Sequence, residues 1–423
     1  MNSVHNIAQA IAHIGHNAKV AARQLAAAPA AAKVAMLEHL ATLLMEREDN
    51  IMAANAKDMQ AAADAGMDAP RQDRLRLTHK TMCEMADACR HVAGLADPIG
   101  AIERQWQRPN GLLVGKMRIP LGVIAMIYES RPNVTIDSAI LCLKAGNAVI
   151  LRGGSEAIHS NIALAALIHE ALTKAELPAH AVQVVPFTDR EAVTHLCHLD
   201  DCIDVIIPRG GERLIRAVVE QARMPVLKHY KGVCHAYIDQ GADLSQALEI
   251  IYNGKVQRPG VCNALEGLLV NASEAEAFLP QVADKLGKAG VTFRACEKSL
   301  PLLAPYATAI GPDDRGTEYH DLILLVQVVE SMDEALDYIA QYGSNHSEII
   351  CTQNHLNAMR FMREADASMV AVNASTRFND GGQLGLGAEI GICTSKLHSY
   401  GAMGVEELTT TKFVVFGTGQ VRE

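Results

Sequence analysis

Residues 149–156 read Val-Ile-Leu-Arg-Gly-Gly-Ser-Glu. A β-branched run ends here in an arginine and two glycines, and a helix-forming stretch, SNIALAALIHEALTKA (160–175), follows. The design recurs at residues 204–218, DVIIPRGGERLIRAV, where Arg209, Gly210 and Gly211 separate the run from the helix. Short β-branched runs alternating with helical periodicity predict βαβ units and a mostly parallel sheet covered on both faces. The texture extends outward: GVIAMIYE (122–129), AVQVVPF (181–187) and CHAYID (234–239) read as strands, REAVTHLCHL (190–199) as a helix.

A second α/β series begins with helix DLSQALEIIYNGKV (243–256). Strands EGLLVN (266–271), VTFRA (291–295), LILLVQVV (322–329), SEIICTQ (347–353) and SMVAVNA (368–374) follow, most of them separated by helical stretches. The expected fold class is therefore α/β, with two halves joined near residues 238–243 and forming a cleft. Residues 3–95 carry long helical periodicity rich in strong helix formers. Two pieces stand apart. RQWQRPNGLLVGKMRIP (104–120) holds a Pro-Asn-Gly turn between extended arms, a hairpin signal, and ELTTTKFVVFG (407–417) is β-rich. Both are candidates for pairing with another subunit.

At 423 residues, with 49% apolar residues and a formal charge of −10, the chain has the composition of a globular protein. Its lysines and arginines are dispersed, which argues against a nucleic-acid partner. No stretch is long and apolar enough to suggest a membrane span. Ten scattered cysteines lack the density of a disulfide scaffold, so reduced thiols in a cytoplasmic protein are expected. Residues 1–24 are alanine-rich and faintly similar to a transit peptide, but only Lys19 and Arg23 are basic there. A secretory signal is not expected.

The two Gly-Gly turns are candidates for phosphate binding. Glycine allows close backbone approach, Ser155 is placed to cap the following helix, helix N-termini offer N–H groups to an anion, and Arg152 and Arg209 add forked donors. The competing reading is a βα turn that needs glycine for its own geometry. In KVQRPGVCNA (255–264), Pro259 excludes Arg258 from the helix and Gly260 frees the chain just before Cys262. Cys262 is either a nucleophile, which requires activation of a mostly protonated thiol, or a buried structural cysteine; position alone favours the latter. His195, Cys197, His198 and Cys202 match no standard zinc spacing, and no metal is expected.

Taken together, GVIAMIYESRPNVTIDSAILCLKAGNAVILRGGSEA (122–157), VIIPRGGERLI (205–215), KHYKGVCHAYID (228–239), QRPGVCNALE (257–266) and TEYHDLILLVQVV (317–329) resemble, in order and spacing, the γ-glutamyl phosphate reductases, also called glutamate-5-semialdehyde dehydrogenases, of the aldehyde dehydrogenase superfamily. The resemblance covers nearly the whole chain. It implies an aldehyde-dehydrogenase-like fold with Rossmann-like parallel sheets. An NADPH-binding domain would span residues 1–104 and 120–240, a catalytic domain 241–401, and a small β oligomerisation arm 105–119 and 402–423.

The resemblance gives Cys262 the place of the nucleophile. It assigns Arg152, Gly153, Gly154, Ser155 and Glu156 to the segment that holds the adenosine ribose, with Arg152 facing the 2′-phosphate of NADPH. Arg209, Gly210 and Gly211 fall near the pyrophosphate, and Glu318 at the nicotinamide ribose. His229 stands where oxidising relatives carry a general-base glutamate, and loss of that base protects a thioester from water. The oxyanion donor is open between Asn133 and Arg131, with Asn133 preferred; Arg131 and Arg258 are the candidates for the substrate phosphate.

The activity so implied is NADPH-dependent reduction of L-glutamate 5-phosphate to L-glutamate 5-semialdehyde, in proline synthesis. The partners implied are a second copy of the chain, as dimer or tetramer, and glutamate 5-kinase. An NAD(P)-dependent or coenzyme A-acylating aldehyde dehydrogenase, or a non-catalytic scaffold on this fold, are the alternatives.

Overall fold

Six consecutive buried residues, Val123–Tyr128, form a central strand because both faces of their sheet are covered and no polar alternation is needed. In a computed structural model, which describes residues 2–422, this strand lies in a four-stranded parallel sheet. Residues 1 and 423, the outer bounds of the expected domains, lie outside the described residues. The strand order is Val182–Val184, Ala148–Arg152, Val123–Tyr128, Val205–Arg209. Ile11, Ala18 and Ala22 of helix Asn2–Leu25 join the core with Val123, Ala125, Ile127 and Ile206. Helix Asn133–Lys144, buried along most of its length, follows the central strand directly.

Strands Ile102–Gln107, Leu113–Pro120 and Thr409–Phe416 form an antiparallel sheet in that order. The Pro-Asn-Gly signal is a turn: Gly111, at φ 89°, donates its N–H to the Arg108 carbonyl at 2.9 Å. The expected hairpin and the β-rich segment near residue 410 thus pair with each other within one chain.

A second, seven-stranded sheet runs Ala307–Ala309, Thr292–Ala295, Ile323–Val329, Leu265–Asn271, Cys234–Ile238, Ser347–Cys351, Met369–Val372, and every pairing is parallel. Helices Leu244–Val256 and Ala272–Lys288 lie over one face, where Ile251, Phe278 and Leu279 meet Leu268, Phe293 and Val326. Tyr237, Leu269, Ile350 and Phe361 fill the other face.

The chain divides into two compact units, Met1–Lys228 with Leu386–Gly391 and Met403–Glu423, and His229–Gly385 with Ile392–Ala402. This corrects the seam expected at 238–243 and the domain bounds at 240/241 and 401/402. Strand Cys234–Ile238 is fully buried and apolar enough to suit either parallel sheet. Its ladders to Leu265–Asn271 and Ser347–Cys351 place it in the second. Residues 386–391 also return to the first unit, a crossing that carries no sequence signal.

Candidate functional site

In the second unit, helix Leu244–Val256 stops before Pro259, as the proline requires, and residues 257–264 form an irregular loop into strand Leu265–Asn271. Cys262 is half-buried on this loop. Gly232 presses on its main chain: a Cβ there would sit 1.9 Å from the Cys262 carbonyl oxygen, so no larger residue fits. The Cys234 thiol donates to the same carbonyl at 3.2 Å. On the other side, Asn263 donates its side-chain amide to the Asn379 carbonyl at 2.9 Å and the Arg377 carbonyl at 3.5 Å. The cysteine's own carbonyl and the side chain that follows it are thereby held.

Under the loop lies a buried polar group. Cys234 is 3.6 Å from Nδ1 of His346, and burial pushes its thiol well above the usual range. Burial, reinforced by the neighbouring His229 ring 5.7 Å away, holds His346 neutral, with its pKa down to about 3. His229 Nδ1 donates to the Ile392 carbonyl at 2.9 Å; a carbonyl only accepts, so this nitrogen carries the proton. Lys255 and Glu266 form a fully buried ion pair at 2.8 Å. Burial pushes Glu266 up, and Lys255 opposes that rise. Glu266 also accepts from the His320 N–H at 3.4 Å, and the His320 ring lies 3.3 Å from the Glu318 carboxylate. Glu318 and Cys262 therefore belong to one unit, linked through the Glu266 strand.

In the first unit the carboxyl ends of three adjacent strands bring the remaining candidates together. The turn after Ala148–Arg152 carries Arg152 to Glu156, and the turn after Val205–Arg209 carries Gly210 and Gly211. Between them, the loop after Val123–Tyr128 carries Arg131 and Asn133. Two carboxylates tie this loop to both turns. Glu156 accepts from the Ser130 N–H at 2.7 Å and hydroxyl at 2.8 Å, and Glu129 accepts from the Gly211 N–H at 2.9 Å. Ser130 is held at φ 52°, a backbone state rare for non-glycine residues.

Asn133 donates to Asp137 at 2.9 Å. Burial raises Asp137 to about 6, against the opposing effects of Asn133 and Arg209. Arg152 spends its Nη atoms on the Gly153 carbonyl at 2.7 Å and the Thr188 carbonyl at 3.0 Å, while its buried Nε has no hydrogen-bond partner.

The anion reading of the turns needs correction. Ser155 does not cap the helix: residues Ser155–Ala157 form a 3₁₀ turn, and Asp58 accepts from the His159 and Ser160 N–H groups at 3.1 and 2.8 Å. A protein carboxylate already occupies that helix start, as Glu129 occupies the Gly211 N–H. A Cβ at Gly153 would strike Asn161 at 2.2 Å, and one at Gly210 would strike Glu129 at 2.5 Å. Only Gly211 of the four faces open space.

Sequence reasoning missed Gly232's contact with the Cys262 loop, the thiol of Cys234, the ring of His346, Arg377, and the carboxylates Glu129, Asp58 and Asp137. Glu129, Asp137, Gly232 and Cys234 lie inside the quoted motifs, but what they face, like the placement of His346 and Arg377, is set by strand order. Among the described residues no group of three or more His, Cys, Asp and Glu is set to hold a metal, and no helix is long and apolar enough to cross a membrane. A surface recess of about 730 Å³ between helices Leu244–Val256 and Ala272–Lys288 is lined by none of the candidate residues.

Residues 4–295 match the aldehyde dehydrogenase family. The γ-glutamyl phosphate reductase of Nitratidesulfovibrio vulgaris strain DP4 is 75% identical over 418 residues, 99% of this chain and 100% of the relative. That of Oleidesulfovibrio alaskensis is 71% identical over the same shares. The crystal structure of γ-glutamyl phosphate reductase from Thermotoga maritima superimposes with a TM-score of 0.95 at 44% identity, covering 98% of this chain and all of that one. With both sheets, the three-stranded arm and the Cys262 loop in place, the chain belongs to the aldehyde dehydrogenase family and, within it, to the γ-glutamyl phosphate reductases.

Proposed function

We propose that this chain reduces L-glutamate 5-phosphate to L-glutamate 5-semialdehyde and inorganic phosphate, the second step of L-proline biosynthesis, with NADPH as reductant and a thioester on Cys262 as intermediate. The observation that carries the reading is the Cys262 loop. A half-buried thiol stands on irregular backbone whose carbonyl is pinned by Gly232 and Cys234 and whose next side chain is anchored, a rigid mount suited to a nucleophile.

The Cys262 thiolate attacks the acyl carbon, the carbon–oxygen bond to phosphate breaks, and phosphate departs with the bonding pair. NADPH, when bound, supplies the hydride that reduces the thioester carbon. Cys262 then leaves as thiolate while the carbonyl re-forms, so one difficult reduction is divided into two easier steps. Asn133 is given the oxyanion, and its tie to Asp137 fixes the amide's direction. His229, with Nδ1 engaged on a carbonyl and no carboxylate in its place, fits a unit that does not activate water against the thioester.

The first unit's residues fit a 2′-phosphorylated dinucleotide. Arg152 has an unpartnered buried Nε, with the Glu156 carboxylate, Arg190 and Asp189 beside it, and Gly211 faces open space. Arg152 and Arg209 would hold the cofactor's phosphates, with the open face of Gly211 leaving room for them, and Glu318 its ribose. The exposed Phe413, Val415 and Phe416 on the three-stranded sheet support an oligomer, dimer or tetramer, built through that arm. A cytoplasmic location and an association with glutamate 5-kinase complete the reading.

The test is capture of the acyl enzyme. Incubated with glutamate semialdehyde and NADP in the absence of phosphate, the protein should gain a glutamyl adduct on the Cys262 peptide by mass spectrometry. Cys262→Ala should lose the adduct and turnover together while still binding NADPH. An adduct on another residue, or turnover in Cys262→Ala, contradicts the mechanism.

A further inference from the structure

The loop that carries Cys262 is spanned by one arginine outside every motif quoted above. Arg377 lies in the 3₁₀ turn Thr376–Phe378, which Ser375 caps by accepting the Arg377 N–H at 3.3 Å. Its Nε donates to Gln257 at 2.8 Å, at the loop's start, and its carbonyl accepts from Asn263 at 3.5 Å, at the loop's end. Arg377 therefore follows the loop from the residue before Arg258 to the residue after Cys262.

The charges around it are unbalanced. Burial lowers the Arg377 pKa, and the second cause is the like charge of Arg258. Asp380 and the two thiols Cys262 and Cys234 oppose that effect. Asp380, however, spends its carboxylate on its own loop, accepting from the Gly382 and Gln383 N–H groups at 3.0 and 3.1 Å. Neither arginine forms an ion pair among the described residues, although the chain pairs many others. With Nε committed to Gln257, the Nη edge of Arg377 makes no hydrogen bond among the described residues. Two like-charged groups held near each other beside a nucleophile repel unless an anion lies between them. A guanidinium edge matches two phosphate oxygens at once.

We infer that Arg377, together with Arg258, forms the subsite that holds the phosphoryl group of an acyl phosphate during attack by Cys262, and the same subsite receives inorganic phosphate in the reverse direction. The inference rests on the acyl-phosphate reading above and adds to it the residue that makes phosphate, rather than water or a thiol, the partner of the acyl enzyme.

The test is steady-state NADP reduction by glutamate semialdehyde with inorganic phosphate as the varied substrate. Arg377→Ala should raise the KM for phosphate by roughly 10- to 100-fold, the loss of a charge-assisted contact, with the KM values for semialdehyde and NADP nearly unchanged. The phosphate-independent burst of NADPH that accompanies acylation of Cys262 should persist. Arg377→Lys should recover part of the phosphate affinity. The exposed Arg258→Ala, which leaves the Gln257 and Asn263 ties intact, should show the same selective rise.

A phosphate KM unchanged in both alanine variants overturns the subsite and leaves the parent reading standing. Loss of the burst together with every kinetic constant in both variants overturns it as well, in favour of a purely structural role for the loop. No phosphate dependence in the unsubstituted protein overturns the parent reading, and the subsite with it.

Discussion

Gly232 shows how one residue carries both a fold constraint and a chemical one. In the sequence it lies three residues after His229; in the structure it is the surface on which the Cys262 peptide rests. Replacing it with alanine places a methyl group where the Cys262 carbonyl now stands. Because the obstacle is backbone, the loop must move, at a cost of about 1–3 kcal/mol in stability. On the proposed mechanism, a displacement of about 1 Å at Cys262 costs on the order of 10²-fold in rate. Gly232→Ala is thus expected to lower kcat about 100-fold while NADPH binding, measured by fluorescence titration, stays near that of the unsubstituted protein. A Gly232→Ala variant with full kcat would remove the glycine from the account.

At the scale of elements, the ends of the central strands of the seven-stranded sheet are where the polar groups accumulate. Cys234 and His235 begin one strand, His346 precedes its neighbour, and Glu348, buried, pairs with His235 at 3.1 Å. Runs such as CHAYID and SEIICTQ announce strands through their β-branched residues, and the strands form where expected. What their polar residues face carries no local signal, because which side chains meet depends on register between segments far apart in the chain.

His346 gives this a measurable form. Its pKa falls from about 6.5 unfolded to about 3 folded, so between these values the unfolded chain binds one more proton and stability rises with pH. The contribution is fully present above pH 6.5 and is lost as pH falls toward 3, at about 1.4 kcal/mol per pH unit. His346→Gln should flatten the stability profile between pH 5 and 6.5 by about 2 kcal/mol in guanidinium unfolding. An unchanged slope would mean that His346 is not held neutral by burial.

The two Gly-Gly turns mark the opposite limit. Their position at strand ends was readable, but their chemistry was not: the carboxylates of Asp58 and Glu129 that take the helix and turn amides come from other segments. A glycine pair followed by a helix looks the same whether its amides await a ligand or are already satisfied. The arginine at each turn and the open face of Gly211 are what remain of the original reading.

Across the whole molecule, composition and periodicity were enough for two α/β units and a separate β piece, because each βαβ repeat has a local signature. The seam was not, since strand Cys234–Ile238 and the returning segment Leu386–Gly391 are assigned by pairing and packing alone. Function depended on the order of five motifs, and two of them gain physical content from the fold through the helix stop at Pro259, the pressed peptide at Cys262 and the stapled loop at Ser130. The central claim is that the acyl group on Cys262 is exchanged with phosphate. It is tested most directly by NADP reduction with glutamate semialdehyde, run with and without inorganic phosphate and with coenzyme A as the competing acceptor. Sustained turnover that requires phosphate, with only a single burst in its absence, is the predicted result; turnover that proceeds equally well without phosphate, or that requires coenzyme A, would contradict the account.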